Sequence, residues 1–113
     1  MEFVYKGQRF PFDMSNPETA QRWLDAAEAL QAVPAAKGNP ATYPEQLEIE
    51  LQGFSAFFDT VLGEGVASAM LGGSHSVMEC LDIFDALKEC AKKQRQELEE
   101  RYKAYSGARV ARA

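Results

Sequence analysis

The sequence has few of the residues that build disulfides, metal centres and nucleophilic active sites. Among its 113 residues there are two cysteines and one histidine. The cysteines lie ten positions apart in one predicted helix, a separation of about 15 Å, whereas a disulfide needs Cα atoms within about 7 Å. We therefore expect Cys80 and Cys90 to be unpaired core residues, and we expect His75 to be exposed at the start of a helix.

Long apolar runs are absent as well. The sequence contains no run of about eighteen apolar residues, the length expected of a membrane-spanning helix. Its first ten residues, MEFVYKGQRF, carry charges and lack the apolar stretch of a secretory signal. We therefore expect no membrane partner and a location in the cytoplasm of the cell that makes the protein.

Charge is unevenly distributed along the chain. Residues 1–87 contain four Lys or Arg against thirteen Asp or Glu, a net charge of −9. Residues 88–113 contain eight against four, a net charge of +4. A nucleic-acid-binding domain presents a broad basic face, so we expect no nucleic-acid partner. The acidic and basic parts can instead attract each other, within one chain or between neighbouring copies.

The N-terminus has the pattern of a β-hairpin. In EFVYKGQRFPFD, residues 2–13, aromatic and polar side chains alternate on both sides of Lys6-Gly7, which suits a tight turn. Pro11 assigns the second strand to a sheet edge. Because an isolated hairpin is marginally stable, it must pack on helices or pair with a partner, and the sequence leaves both possibilities open.

Two helices are predicted next. The first begins at Ser15 or Asn16 and ends near Pro34, and the second begins with the capping pair Thr42 and Glu45 and ends at Gly63. The apolar positions of the first are Ala20, Trp23, Leu24, Ala27 and Leu30; those of the second are Leu47, Leu51, Phe54, Phe58 and Val61. The segment 34–44 contains three prolines and is predicted to be a loop.

The stretch VLGEGVASAMLGG, residues 61–73, has four glycines and superficially resembles a dinucleotide-binding fingerprint. It has Ser68 where the third glycine belongs, and it follows a helix instead of a strand, so no βαβ unit surrounds it. We therefore interpret its glycines as helix stops on either side of a short helix, VASAML.

A long C-terminal helix completes the predicted fold. It begins at Ser74 or Ser76 and continues to Ser106, before Gly107. Its predicted core face consists of Val77, Cys80, Leu81, Phe84, Leu87 and Ala91. A single domain of this size is about 25–30 Å across, so the end of the helix extends beyond it.

The predicted fold is therefore mainly α: an N-terminal hairpin, three main helices and one short glycine-bounded helix. Residues 1–91 form a compact body, and residues 92–113 form a projecting charged helix with a basic tail.

No group of residues typical of catalysis or of cofactor binding occurs. His75 and Cys80 are five helical positions apart and face different sides, which disfavours a shared metal or a Cys–His nucleophile. One flank of the last helix carries a row of carboxylates: Glu79, Asp82, Asp85 and Glu89. This row lacks the turn-borne oxygens of a calcium loop and is interpreted as a solvated flank. We expect a protein that is not an enzyme and that holds no metal or cofactor.

Three motifs carry a resemblance to a known family: LGEGVASAMLGG, then CLDIFDALKE, and the terminal YSGARVAR. With the hairpin before them, they resemble short proteins encoded in the tail-morphogenesis modules of phages and prophages of Gram-positive bacteria. The resemblance covers nearly the whole chain and departs at Gly107-Ala108, where Pro-Asn is common. These proteins are similar to tail assembly chaperones of long-tailed phages.

The resemblance implies a non-enzymatic tail assembly chaperone that works in the cytoplasm of the bacterial host. Its implied partners are the tape measure protein and the major tail protein. The opposite charges of the two parts of the chain add self-association to these expectations. Three other functions remain open: a structural head–tail connector or tail-completion subunit, a small phage-encoded inhibitor of a host protein, and an enzyme whose site is shared between subunits.

Candidate partner-binding residues lie on the projecting helix. They are Leu98, Arg101, Tyr102, Tyr105, Arg109 and Arg112. The apolar and aromatic members lie beyond the predicted body and are exposed unless a partner covers them. Tyrosine and arginine are also enriched among the residues that dominate binding energy at interfaces.

Overall fold

The computed structural model of the chain describes residues 1–37 and 42–112, with side chains for 1–32 and 42–106. Its elements, in chain order, are β1 (Glu2–Tyr5), β2 (Gln8–Pro11), α1 (Pro17–Lys37), α2 (Tyr43–Leu62), α3 (Val66–Leu71) and α4 (Val77–Arg112). The predicted fold class is confirmed, since a two-stranded antiparallel hairpin precedes the helices and the last helix is the longest.

The hairpin packs on its own chain. Lys6 and Gly7 both have positive φ, 48° and 80°, as the tight turn between the paired residues Tyr5 and Gln8 requires. At the end of β1, the Lys6 ammonium lies 2.9 Å from the Glu79 carboxylate on α4, and the Tyr5 hydroxyl donates to the same carboxylate over 3.4 Å. The alternative that the sequence left open, pairing with a neighbour's sheet, is not needed to bury the hairpin.

Gln94 joins the segment after the hairpin to α4. Its side-chain amide donates to the carbonyl oxygen of Phe12 over 2.9 Å, and its side-chain oxygen accepts from the amide of Met14 over 2.7 Å. Gln94 is only 8% exposed. One buried side chain therefore satisfies two backbone groups that lie about eighty positions earlier in the chain.

Local capping fixes where the helices begin. Asn16 accepts from the amide of Glu18 over 2.9 Å at the start of α1, and Thr42 accepts from the amide of Glu45 over 3.2 Å at the start of α2. Ser76, the second of the two predicted starts, accepts from the amide of Glu79 over 3.4 Å at the start of α4. The predicted starts of the three long helices are confirmed.

Two predicted helix ends are wrong. α1 passes through Pro34 to Lys37, although a proline inside a helix lacks an amide donor and its ring crowds the carbonyl of the preceding turn. The rest of the predicted loop, 38–41, lies outside the described residues. α4 passes through Gly107 to Arg112, because a glycine weakens a helix by about 1 kcal/mol without ending it.

The short helix α3 lies between glycines as predicted. Gly65 precedes it with φ 84°, and Gly72 ends it in the left-handed conformation with φ 57°. Asp59 on α2 fixes its start, since the carboxylate accepts from the amide of Ala67 over 2.9 Å. α3 thereby folds back on α2 and brings the chain to the start of α4.

The core is built around Phe57 of α2. Its ring lies 5.3 Å from the ring of Trp23 on α1 and 5.1 Å from the ring of Phe84 on α4. Phe57 lies outside the predicted stripe of α2, although the stripe residues are buried or half-buried. The buried face of α2 is wider than that stripe because this helix contacts both α1 and α4.

The buried face of α4 also differs from the prediction. It consists of Cys80, Ile83, Leu87, Ala91 and Gln94. Ile83 replaces Leu81, which is 40% exposed. Sequence periodicity allowed either phase, and packing against the hairpin and α2 selects the face that carries Ile83.

Candidate partner-binding surface

The buried face of α4 continues past the body in the same direction. Its positions are 80, 83, 87, 91 and 94, and the same 3-4-4 spacing leads on to Leu98, Tyr102 and Tyr105. This 11-residue repeat, 3.67 residues per turn, stays close to the period of a straight helix, so the face scarcely turns around the axis. The residues beyond Gln94 thus extend a core face into solvent.

Exposure changes abruptly at that point. Gln94 is the last buried side chain among the described residues of α4, and Leu98 is half-buried. Tyr102 is 61% exposed and Tyr105 is 57% exposed. Two aromatic side chains on a helix that continues a core face are a surface suited to receiving another protein.

In the segment 95–105, the two arginines lie close to this face, whereas the lysine and the carboxylates lie farther around the helix. At about 100° per residue, Arg95 and Arg101 lie within about 60° of the line through Leu98 on either side. The carboxylates and Lys103 lie about 100° or more away, at positions 97, 99, 100 and 103. We call the set Arg95, Leu98, Arg101, Tyr102 and Tyr105 the C-terminal stripe.

The structure brings together four of the six predicted binding residues: Leu98, Arg101, Tyr102 and Tyr105 all belong to the stripe. Arg101 contacts Glu97 at 3.3 Å, the predicted pair one helical turn apart. The side chains of Arg109 and Arg112 lie outside the described residues, although α4 includes both positions.

Arg95 is the stripe residue that sequence reasoning missed. The predicted core face of α4 includes Leu81 and Phe84. The seam that packs runs through Ile83 and Leu87 instead. Arg95 lies beside that seam and flanks Leu98. It can be recognised as part of the stripe only when it is known which face of α4 is buried.

The thiols offer little reactivity. Cys80 is buried and Cys90 is half-buried, and neither forms a disulfide. Burial raises the pKa of both thiols, which keeps them protonated near neutral pH. Their chemistry is that of small apolar core residues.

A groove lies between α2 and the segment from α3 to α4. It has a volume of about 410 Å³, and its lining includes Glu48, Ser55, Asp59 and the exposed His75. Asp59 is already engaged by the amide of Ala67 at the start of α3. Within the described part of the chain, no three His, Cys, Asp or Glu side chains are grouped so as to hold a metal ion.

Among the residues that the structure describes, no helix is both long enough and apolar enough to cross a bilayer.

Residues 6–113 match DUF6673, a family of unknown function. The chain belongs to this family. No curated protein and no solved structure matches it. The DUF6673 match begins at the hairpin turn and includes α1 to α4, so the helices of the body and the C-terminal stripe both lie within the matched region.

Proposed function

We propose that the protein is a non-enzymatic tail assembly chaperone of a long-tailed phage or prophage. It binds the tape measure protein, the major tail protein or both through its C-terminal stripe, in the cytoplasm of the bacterial host. The observation that carries the proposal is the continuation of the core face of α4 into solvent as a row of arginine and tyrosine side chains.

The stripe supports a protein-binding role through its composition and its position. Tyr102 presents a large rigid surface, and Arg95 and Arg101 each present planar donors that bind carboxylates in a bidentate manner. Because the stripe lies beyond the last buried residue of the body, a long partner can cover it without displacing the hairpin or α2. The phage assignment is supported by the resemblance of LGEGVASAMLGG, CLDIFDALKE and YSGARVAR to tail-module proteins.

Capture of tail proteins tests the binding role. The tagged chain is co-expressed with the tape measure protein or the major tail protein encoded beside it, and the retained partner is quantified. Tyr102→Ala should weaken capture about thirtyfold, the equivalent of about 2 kcal/mol at a dominant interface residue. Tyr43→Ala, at an even more exposed tyrosine on α2 (73% against 61% for Tyr102), is the matched control and should leave capture unchanged. Equal loss in both variants, or no capture by the unaltered chain, contradicts the proposal.

Mass spectrometry of purified particles distinguishes a chaperone from a structural tail protein. A chaperone acts during assembly and is expected in infected-cell lysates but not in finished virions. Recovery of the chain from virions in amounts comparable to the other tail proteins would assign it to a connector or tail-completion role instead.

A further inference from the structure

A second exposed surface on α4 has the opposite charge. On the outer side of its first three turns, Met78 is 69% exposed and Leu81 is 40% exposed. The exposed carboxylates of Asp82, Asp85 and Glu89 lie among them. We call these five residues the acidic ridge. At about 100° per residue, the ridge is centred roughly opposite the buried face, so it faces solvent.

The charge of the ridge is weakly compensated by its own chain. Asp85 contacts Lys88 at 3.4 Å, a pair in which both side chains are largely exposed. Among the described residues, no hydrogen bond or ion pair engages Asp82 or Glu89. Glu79 is not part of the ridge, because its carboxylate already forms an ion pair with Lys6. The ridge therefore keeps its carboxylates available to a partner.

The acidic ridge and the C-terminal stripe complement each other in length, charge and apolar content. The ridge runs from 78 to 89 and the stripe from 95 to 105, so each spans about 15–17 Å at 1.5 Å per residue. The ridge combines two exposed apolar side chains with three carboxylates, and the stripe combines a leucine and two tyrosines with two arginines. Arginine paired with carboxylate is the strongest of the common charged contacts.

The two surfaces cannot meet within one molecule. Both lie on the single helix α4, the ridge in its first half and the stripe in its second. They also face different sides of that helix. A second copy supplies the missing surface, and the net charges of −9 for residues 1–87 and +4 for residues 88–113 favour the approach of the two ends.

We propose that the C-terminal stripe of one copy docks on the acidic ridge of a second copy, so that copies of the chain associate head to tail. The contact is heterologous: each copy contributes a stripe to one neighbour and a ridge to the other. The proposal specifies what the stripe accepts, namely a helix face that combines carboxylates with exposed apolar side chains. It does not depend on the identity of any tail protein.

Sedimentation velocity across a concentration series tests this proposal on the full chain. The unaltered chain should form concentration-dependent oligomers that dissociate as salt is raised, since exposed charge pairs are screened. Arg101→Glu should weaken association about tenfold or more. Lys103→Glu makes the same charge change on the other side of the same helix and should have no effect. On the ridge, Asp82→Lys should weaken association, and Glu64→Lys, at an exposed loop position, should not.

Mixing the two defective variants gives the decisive result. The Arg101→Glu chain retains its ridge, and the Asp82→Lys chain retains its stripe. At a concentration at which each variant alone is monomeric, the two together should therefore form a one-to-one complex. Misfolded chains cannot produce this result, and circular dichroism of each variant confirms its helicity.

Three results would overturn the proposal: an unaltered chain that stays monomeric at millimolar concentration, equal effects of the Arg101 and Lys103 variants, or no complex on mixing. Capture of tail proteins by a monomeric chain would overturn head-to-tail association alone and leave the chaperone role intact. If the chain self-associates with this variant pattern but captures no tail protein, the chaperone role is overturned and head-to-tail association is kept.

Discussion

Gln94 illustrates how a single polar side chain can decide the packing of a small helical protein. Its side chain donates to the carbonyl of Phe12 and accepts from the amide of Met14, and both backbone groups lie in the segment between the hairpin and α1. An apolar residue at this position would fill the space but leave two backbone groups unpaired. The buried polar residue is thus required by the backbone that it contacts.

Replacement of this residue should be costly. Gln94→Ala is expected to lower the free energy of unfolding by about 2–4 kcal/mol, because it leaves two backbone groups without partners and opens a small cavity. Urea denaturation followed by circular dichroism measures the change. The control is Gln96→Ala, two positions along the same helix at an exposed site, where the change should stay within about 0.5 kcal/mol. Similar losses in both variants would mean that the side-chain bonds of Gln94 contribute little.

Alanine substitution at two glycines is expected to change stability in opposite directions. Gly72 ends α3 with φ 57°, and a Cβ there would meet no other atom within 4 Å. Gly72→Ala should therefore destabilise the fold by about 1–2 kcal/mol through backbone strain alone. Gly107 lies inside α4. Gly107→Ala should therefore stabilise the C-terminal end of this helix by up to about 1 kcal/mol and raise its helicity. Thermal unfolding and far-ultraviolet circular dichroism of the two variants separate these effects, and a destabilising Gly107→Ala would contradict the assignment of helix through this position.

At the scale of the elements, the attachment of the hairpin to α4 is predicted to depend on pH. The hydrogen bond from Lys6 holds the pKa of the Glu79 carboxyl below its usual value. A carboxyl whose pKa is lowered by folding stabilises the native state above its unfolded pKa, about 4.3 for glutamate, and this contribution is lost as the pH falls towards the folded pKa. The pKa of Lys6 is raised by the same contact, so its contribution is lost only at strongly alkaline pH, above about 10.4.

The expected result is a loss of stability on acidification that Glu79→Gln reduces. Stability measured by urea denaturation between neutral pH and about pH 3 should fall less steeply in that variant than in the unaltered chain. Glu2→Gln, which removes the partner of Arg9 within the hairpin, tests whether the effect belongs to the contact between hairpin and helix. An unchanged pH profile in Glu79→Gln would show that other carboxyls dominate the acid response.

The sequence predicts those elements whose signals are local. The hairpin turn at Lys6-Gly7, the cap at Thr42 and the glycines around α3 each depend on a few neighbouring residues, and all were predicted correctly. The phase of α4 was not, because Leu81 and Ile83 are both apolar and only the packed partners decide which is buried. Gln94 was missed for a related reason, since periodicity marks apolar core positions and gives no signal for a polar one.

The ends of the long helices were also beyond local reasoning. Pro34 and Gly107 are common helix terminators, yet α1 and α4 continue past them. The exposure of Tyr102 and Tyr105 was predicted more successfully, because these residues keep helical spacing in a segment too distant to join the core. Whether such a row is exposed depends on the length of the helix relative to the size of the body. The sequence predicts both the helix length and the body size.

For the whole molecule, the extents of 65 × 32 × 20 Å describe a compact body with one long helix. A chain ending at residue 96 should keep the stability of the full protein to within about 1 kcal/mol, since the removed part of α4 contributes no buried side chain among the described residues. A chain ending at residue 91 also loses Gln94 and should be destabilised by about as much as Gln94→Ala, 2–4 kcal/mol. Urea denaturation of the two truncated chains compares them, and equal destabilisation by both would mean that the C-terminal half of α4 supports the body.

The contact between Gln94 and Phe12 also has a consequence for synthesis of the chain on the ribosome. About eighty residues must be translated after the hairpin before its docking site on α4 exists, which takes about 4–16 s at 5–20 residues per second. During that interval Phe3 and Phe12, which are both 3% exposed in the folded chain, have no α4 to cover them. The nascent hairpin is therefore the part of the protein most dependent on rapid completion of the chain or on a cellular factor that shields apolar surface.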